Sequence, residues 1–339
     1  MKFGWLLPVL LLFGLLLAPA SASEAAADAA LLWWTRVLPS LLPYLITASL
    51  IERSGLFSHL PKRLASLLLW LFGALGGYPI GARLCAALVQ DGILSEADAK
   101  RAIPFVNLPN PIFLISVVAL GMFENVRVLV PLLCGVYGVA ALGLVPLFRL
   151  RLAGRSRPSV RLTADDLPQA IEAGVRAILT IGGCMLFASI VGALICSAGV
   201  LRIFGEQQSL AQSLLLGLFE MTCGIRAVSS LSLPLAVRLA LCAFLVQFGG
   251  GSVLLQTAAQ SNVSLPRYAG VKALFAAGSA FLTYALAVWL CPDAVIPTVA
   301  SRAELLANSA SLLSVILAAA VGLLSIFVFT IGLQRKKTP

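Results

Sequence analysis

Apolar residues run through this chain in ten blocks, at about 4–20, 31–51, 64–90, 103–123, 127–148, 171–201, 210–230, 235–257, 271–291 and 309–333. Leu, Ala, Ile and Val continue in them without the short alternation of an outer-membrane barrel strand, and several approach the roughly 20 residues that cross a bilayer as helix. Four blocks are interrupted in their middles, and the interruptions come in pairs. The third contains Gly76-Gly77-Tyr78-Pro79-Ile80-Gly81-Ala82-Arg83 and the seventh Glu220-Met221-Thr222-Cys223-Gly224-Ile225-Arg226, with 143 residues between Gly81 and Gly224 and an Arg two places after each. The following blocks break at Phe105-Val106-Asn107-Leu108-Pro109-Asn110-Pro111 and at Gln247-Phe248-Gly249-Gly250-Gly251-Ser252. Upstream, Ser54-Gly55-Leu56 and Ala198-Gly199-Val200 match at nearly the same offset. Paired interruptions of membrane helices in two halves are the sequence mark of a two-repeat carrier and its binding site.

Composition removes the soluble alternatives. With 60% hydrophobic and 11% charged residues over 339 positions and a mean hydropathy of +1.00, a water-soluble fold could not bury the apolar surface. The net charge of +10 is better explained by orientation than by nucleic acid, because Lys and Arg concentrate in loops. Arg53, Lys62 and Arg63, the linker arginines 149, 151, 155, 157 and 161, and Arg335-Lys336-Lys337 all belong inside on this rule. A fully crossing 64–90 would put the arginine linker outside. The conflict disappears if 64–90 is a re-entrant hairpin turning at Gly76–Pro79 and 210–230 a second hairpin from the opposite face. The expected fold is an all-α polytopic membrane protein: an inverted repeat of helix, re-entrant hairpin, broken helix and helix, with flanking N- and C-terminal membrane helices. Its expected parts are 1–30, a membrane helix or signal-like segment; 31–149, the first repeat; 150–170, a basic cytoplasmic linker; 171–291, the second repeat; and 292–339, a last helix and basic tail. Lys2, Leu6–Leu17 and Ala20-Ser21-Ala22 read either as a cleavable signal or as a retained first helix, retention being favoured. Thr163 followed by Asp166 before an apolar run marks a helix start.

Enzyme chemistry finds little purchase. The cysteines at 85, 134, 184, 196, 223, 242 and 291 have no CxxC spacing, and His59 is the one histidine, so neither a Cys/His zinc site nor a disulfide framework is expected. No Walker A motif is present, and no cofactor or metal is called for. Interrupted helices persist in a membrane only when they line a protein-enclosed cavity. Pro109 and Pro111 free carbonyls beside the amides of Asn107 and Asn110, whereas Gly249 and Gly250 let backbone approach a ligand beside Ser252. Half-helix N-termini at such breaks suit a carboxylate or phosphate. Arg83 and Arg226 either flank a central anion site or snorkel to opposite boundaries. Glu220 either pairs with Arg226 or is the protonatable coupling group. Tyr78, Thr222, Gln247 and Gln256 add neutral hydrogen-bonding capacity near the same breaks.

Several of these elements resemble the YlbJ (SpoVV) family of sporulation integral membrane proteins, within the nucleoside-recognition, or Gate-domain, group related to concentrative nucleoside transporters. They are Val37-Leu38-Pro39-Ser40-Leu41-Leu42-Pro43-Tyr44, Gly77-Tyr78-Pro79-Ile80-Gly81-Ala82-Arg83, the Asn107–Phe113 break, Glu220-Met221-Thr222-Cys223-Gly224 and Phe248-Gly249-Gly250. The chain departs from the family pattern at Asn110, Gly251 and Leu254, at the expected pocket. The resemblance implies a multi-pass permease moving a small carboxylated aromatic such as dipicolinate; it is expected in the cytoplasmic membrane, and the basic tail places its C-terminus inside. The alternatives are a nucleoside or other small-metabolite carrier, or a non-transporting scaffold in envelope or spore assembly. Expected partners are a small organic anion or nucleoside-like solute, the lipid bilayer and a second copy of the chain, but no nucleic acid. The topology is testable: Arg155→Cys and Lys336→Cys variants should react with an impermeant thiol reagent from the same membrane face, and labelling from opposite faces would end the inverted repeat.

Overall fold

The computed structural model describes residues 6–151, 163–199 and 208–291; the linker arginines 155, 157 and 161, the block at 309–333 and the basic tail lie outside them. Among the described residues every regular element is a helix. The first half comprises α1 (Leu6–Leu17), α2 (Pro19–Leu32), α3 (Leu38–Arg53), α4 (Lys62–Gly76), α5 (Ile80–Gln90), α6 (Glu96–Val106), a π-helix over Phe113–Met122, α7 (Leu129–Ala141) and the short α8 (Leu144–Leu147). The second comprises α9 (Asp166–Ser197), α10 (Gln208–Phe219), α11 (Met221–Ser229), α12 (Leu235–Phe248), α13 (Gly250–Gln260) and α14 (Leu265–Leu290). Among the described residues, five helical stretches are long and apolar enough to cross a membrane: Pro19–Arg53, Val126–Leu147, Asp166–Ser197, Leu235–Gln260 and Leu265–Leu290.

Local chemistry explains most boundaries. The Asp166 carboxylate accepts the Thr163 N–H at 2.7 Å and its hydroxyl at 2.9 Å, and α9 starts there. α6 begins at Glu96 rather than near 103, because Ser95 caps it by accepting the Asp98 N–H at 3.1 Å and two acids occupy the first turn. Residues 19–53 form one helix through a π turn at Trp33–Val37, so the expected division at residue 30 falls inside a continuous element. Alanine, the strongest helix former, carries the chain across the more polar stretch that separated the two hydrophobic blocks. Ala22 and Ala29 are buried there, and α2 packs on α9.

The third and seventh blocks each divide into two helices that fold back on one another. α4 and α5 have 15 and 11 residues, α10 and α11 have 12 and 9, all shorter than the roughly 20 needed to span. Glycine permits both folds. A Cβ on Gly73 or Gly81 would lie 1.9 or 2.2 Å from the Val106 carbonyl oxygen, and one on Gly224 2.1 Å from the Gly217 Cα. Helices of the two halves pack together, α3 on α9 and α7 on α14. The second arm of each folded pair also touches the later part of the other half's broken helix, α5 meeting α13 and α11 meeting the π-helix.

Two apolar cores result, one among α3, α4, α5, α6 and α9 and one among the π-helix, α7, α11 and α12, with Ala74, Leu108 and Ala140 forming a small cluster of their own. Gly224→Val should lower stability by about 1–3 kcal/mol or more, since backbone rather than a mobile side chain blocks the new atoms. Gly183→Ala, whose Cβ meets nothing within 4 Å, should be neutral or gain about 0.5–1 kcal/mol. Unfolding midpoints in one detergent compare the two.

Candidate functional site

In an uninterrupted helix the Asn107 carbonyl would accept the N–H of residue 111, but that residue is Pro111 and has none. The Asn107 oxygen instead accepts from Lys272 Nζ of α14 at 3.1 Å. The Asn107 amide Nδ2 donates to Thr257 Oγ1 and to Tyr268 Oη, both at 2.9 Å, whereas its Oδ1 is buried with no donor. Next along the break, the Pro109 carbonyl accepts the Tyr137 hydroxyl at 2.6 Å. Asn110 opens the second part of the helix: Oδ1 accepts from the Ile112 N–H at 2.6 Å, and Nδ2 donates to the Leu75 carbonyl at 2.7 Å, in the last turn of α4.

The second break is built from glycine. Gly249 and Gly250 stand consecutively in the left-handed region (φ 85° and 73°), which ends α12 and restarts the chain as α13. The α12 carbonyls left free are met from the first half: the Tyr78 hydroxyl lies 3.2 Å from the Val246 oxygen and 3.0 Å from that of Gln247 and donates to this pair. Lys272 Nζ sits 5.0 Å from the centroid of the Tyr78 ring. Tyr78 and Lys272 thus join the two breaks through one aromatic–amine contact. The Gln247 amide is fully buried with neither atom partnered.

Between the halves lies a cavity of about 40 Å³, lined by Tyr78 and Asn110 from the first and by Glu220, Thr222, Ser252 and Gln256 from the second, with Val37, Ile181 and Met185 among its apolar walls. At about 10–15 Å³ per water it holds about three. Glu220 sits at the turn between α10 and α11 in extended backbone and caps α11: Oε2 accepts the Cys223 N–H at 2.9 Å, and Oε1 accepts the Thr222 hydroxyl at 3.2 Å. The same carboxylate lines a vestibule of about 610 Å³ with Glu24, Asp28 and Arg226, so it stands between the inner cavity and the wider mouth. Gln256 Nε2 donates to Ser252 Oγ at 2.9 Å on the opposite wall. No side chain caps α13, whose first-turn residues Ser252 and Val253 also face the cavity. Among the described residues no cluster of three His, Cys, Asp or Glu side chains could hold a metal ion.

The residues singled out in the sequence therefore separate. Tyr78, Asn110, Glu220 and Ser252 converge on one cavity. Asn107, Gln247, Gly249 and Gly250 form the breaks behind it. Arg83 turns away: Nε and Nη2 meet Glu52 Oε1 and Oε2 at 3.0 and 3.1 Å, and Nη1 donates to the Ala173 carbonyl at 3.4 Å. Arg226 is exposed in the vestibule and has no ion pair with Glu220 or any other described residue. Lys272, Glu52, Tyr137 and Tyr268 were given no role. One signal was available for Lys272, a lone cation inside an apolar block with a proline-orphaned carbonyl in the other half. For Glu52 there was none, since it follows an apolar block beside Arg53 like any interfacial charge. The Arg83–Glu52 side chains are each 14% exposed. Removing one partner should therefore destabilise by up to about 3–5 kcal/mol, and Arg83→Met with Glu52→Leu together by much less. Midpoints of the two single variants and the double variant decide; equal losses in all three would mean the pair is solvent-screened.

No family model and no solved structure matches the chain. Sporulation integral membrane protein YlbJ of Bacillus subtilis (strain 168) is 28% identical over 291 residues, covering 71% of this chain and 70% of the relative. An integral membrane relative and five apolar helices of spanning length make the chain a multi-pass membrane protein. That similarity, and the motifs that carry it, support assigning the chain to the family of sporulation integral membrane protein YlbJ.

Proposed function

We propose that this protein is a secondary carrier for a small carboxylated organic solute, of which dipicolinate is the type, working by alternating access in an inverted-repeat membrane domain. One observation carries the reading: residues from interruptions far apart in sequence, Tyr78, Asn110, Glu220 and Ser252, close around a single cavity between the halves. Packing is a poor reason for this arrangement, because each break forfeits helix hydrogen bonds that the membrane interior does not replace. The equivalent order of elements in both halves supports an inverted repeat, as do the reciprocal contacts of α5 with α13 and of α11 with the π-helix. The shortness of α4, α5, α10 and α11 supports re-entrant hairpins.

The site chemistry favours an anion. Of the half-helix N-termini at the cavity, that of α11 already holds the Glu220 carboxylate and that of the π-helix holds Asn110 Oδ1. The start of α13 is uncapped, offering partial positive charge beside the Ser252 hydroxyl. Arg226 is the cation of a vestibule that it shares with Glu24 and Asp28, and Glu220 at the partition is the group that exchanges a proton as the solute passes. A cavity of about 40 Å³ is the closed state of this cycle, and the solute enters when the α10–α11 turn moves aside. The link to sporulation belongs to this proposal and comes from the relative's name.

A thermal-shift screen of the purified full-length protein against dipicolinate, nucleosides and small dicarboxylates tests the solute. A true ligand at a hundredfold excess over its Kd adds about 2.7 kcal/mol to the folded state. In liposomes, Glu220→Gln keeps an acceptor for the α11 N–H groups yet cannot carry charge; it should abolish proton-driven accumulation while retaining solute counterflow. A purified protein that binds no solute and moves none favours the scaffold reading instead.

A further inference from the structure

Lys272 is 0% exposed and meets no carboxylate among the described residues. A lysine in that position inside an apolar bundle is costly to bury and is placed there by function more often than by packing. What surrounds it is a cation site in kind. Asn107 is the C-cap of α6, and its carbonyl is left without an N–H by Pro111, so it sits at the negative end of a half-helix. Asn107 Oδ1 is a second buried oxygen in the same residue, aimed at no donor. The Tyr78 ring face completes the surroundings at 5.0 Å. Unwound carbonyls and half-helix C-termini of this type bind small coupling cations in carriers with broken helices. At the 143-residue offset the first half has Leu129, so the amine is an addition to one half of the repeat.

We propose that the first break is a monovalent-cation slot and that Lys272 occupies it as a tethered cation, pinning the α4–α5 turn through Tyr78 to the break through Asn107. The occupied slot needs no inorganic ion, so the folded protein neither binds nor requires sodium. The consequence for coupling, that solute movement is independent of sodium, rests on the carrier reading; the slot itself does not.

The test uses the full-length protein in detergent and reads unfolding midpoints. The wild type should respond identically to NaCl, LiCl, KCl and choline chloride at equal ionic strength. Lys272→Ala should unfold at lower temperature and be restored, saturably and by about 2 °C or more, by methylammonium or sodium but not by choline. Lys272→Met, which fills the volume without charge, should show the loss without the restoration; a merely structural amine predicts the same indifference to cations in both variants. Saturable stabilisation of the wild type by sodium, or a folded Lys272→Ala that no small cation restores, overturns the proposal. If Lys272→Ala yields no folded protein without added cation, purification in methylammonium or sodium should recover it while choline does not, and no folded protein in any of the three salts overturns the proposal. A cation response in Lys272→Ala together with no solute binding in any variant would keep the slot and remove the carrier.

Discussion

A carbonyl that has lost its helical N–H cannot be left bare in an apolar interior, and the arrangement of this protein follows from how each such group is satisfied. Tyr137 reaches Pro109, Lys272 reaches Asn107, and Tyr78 reaches Val246 and Gln247; where α7 gives way to α8, Trp70 Nε1 adds a second donor at 3.2 Å to the Ala140 carbonyl, which also accepts the Gly143 N–H at 2.9 Å. The donors are long side chains with an apolar body and one polar tip, which pack as hydrophobes until the last atom. Every one comes from a different element than the group it serves. The breaks are therefore cross-links between elements, and their positions are set by side chains 28 to 169 residues away in sequence.

Close backbone approach does the complementary work. The Val106 carbonyl, one residue before the first break, is met by Gly73 and Gly81 on both arms of the α4–α5 fold, so that fold and the break form one body. In the second half Gly217 and Gly224 bring α10 against α11, and Gly250 at the next break would place a Cβ 2.8 Å from the Gly217 oxygen. Each folded pair is thus seated on the interruption of its own half. The walls of the cavity come from both halves, and on the carrier reading proposed above its volume would change by relative movement of two stiff units. Tyr78 and Lys272, with the bonds of the Asn107 amide to Thr257 and Tyr268, connect the two halves at the breaks.

What could be read from the sequence divides along the same line. Gly76–Pro79, Pro109 with Pro111, and Gly249-Gly250 are local signals, since backbone geometry at those residue types is constrained whatever surrounds them. The order of folded pairs and breaks was legible for that reason, and so was the gathering of Tyr78, Asn110, Glu220 and Ser252. The Arg83–Glu52 pair spans 31 residues and the Lys272–Asn107 bond 165, and no local pattern encodes either. Hydropathy also divided residues 19–53 at an alanine-rich stretch carrying Glu24 and Asp28, because it measures apolarity where the chain was using helix propensity.

Arg83 and Arg226 show how similar sequence positions acquire different electrostatics. Both follow a glycine by two residues in matching helices, which invites one role for both. Arg83 is held by both oxygens of Glu52 with little solvent, and a passing anion would have to displace a carboxylate already in ideal geometry; a guanidinium so satisfied has little attraction left at a distance. Arg226 faces the wide vestibule, in the company of Glu24, Asp28 and Glu220 but in an ion pair with none of them. An exposed cation among carboxylates exerts only a weak net pull on a passing anion. On the carrier reading proposed above, binding at the cavity would fall to the uncapped start of α13 and to neutral polar groups, with the carboxylate of Glu220 as the charge that changes.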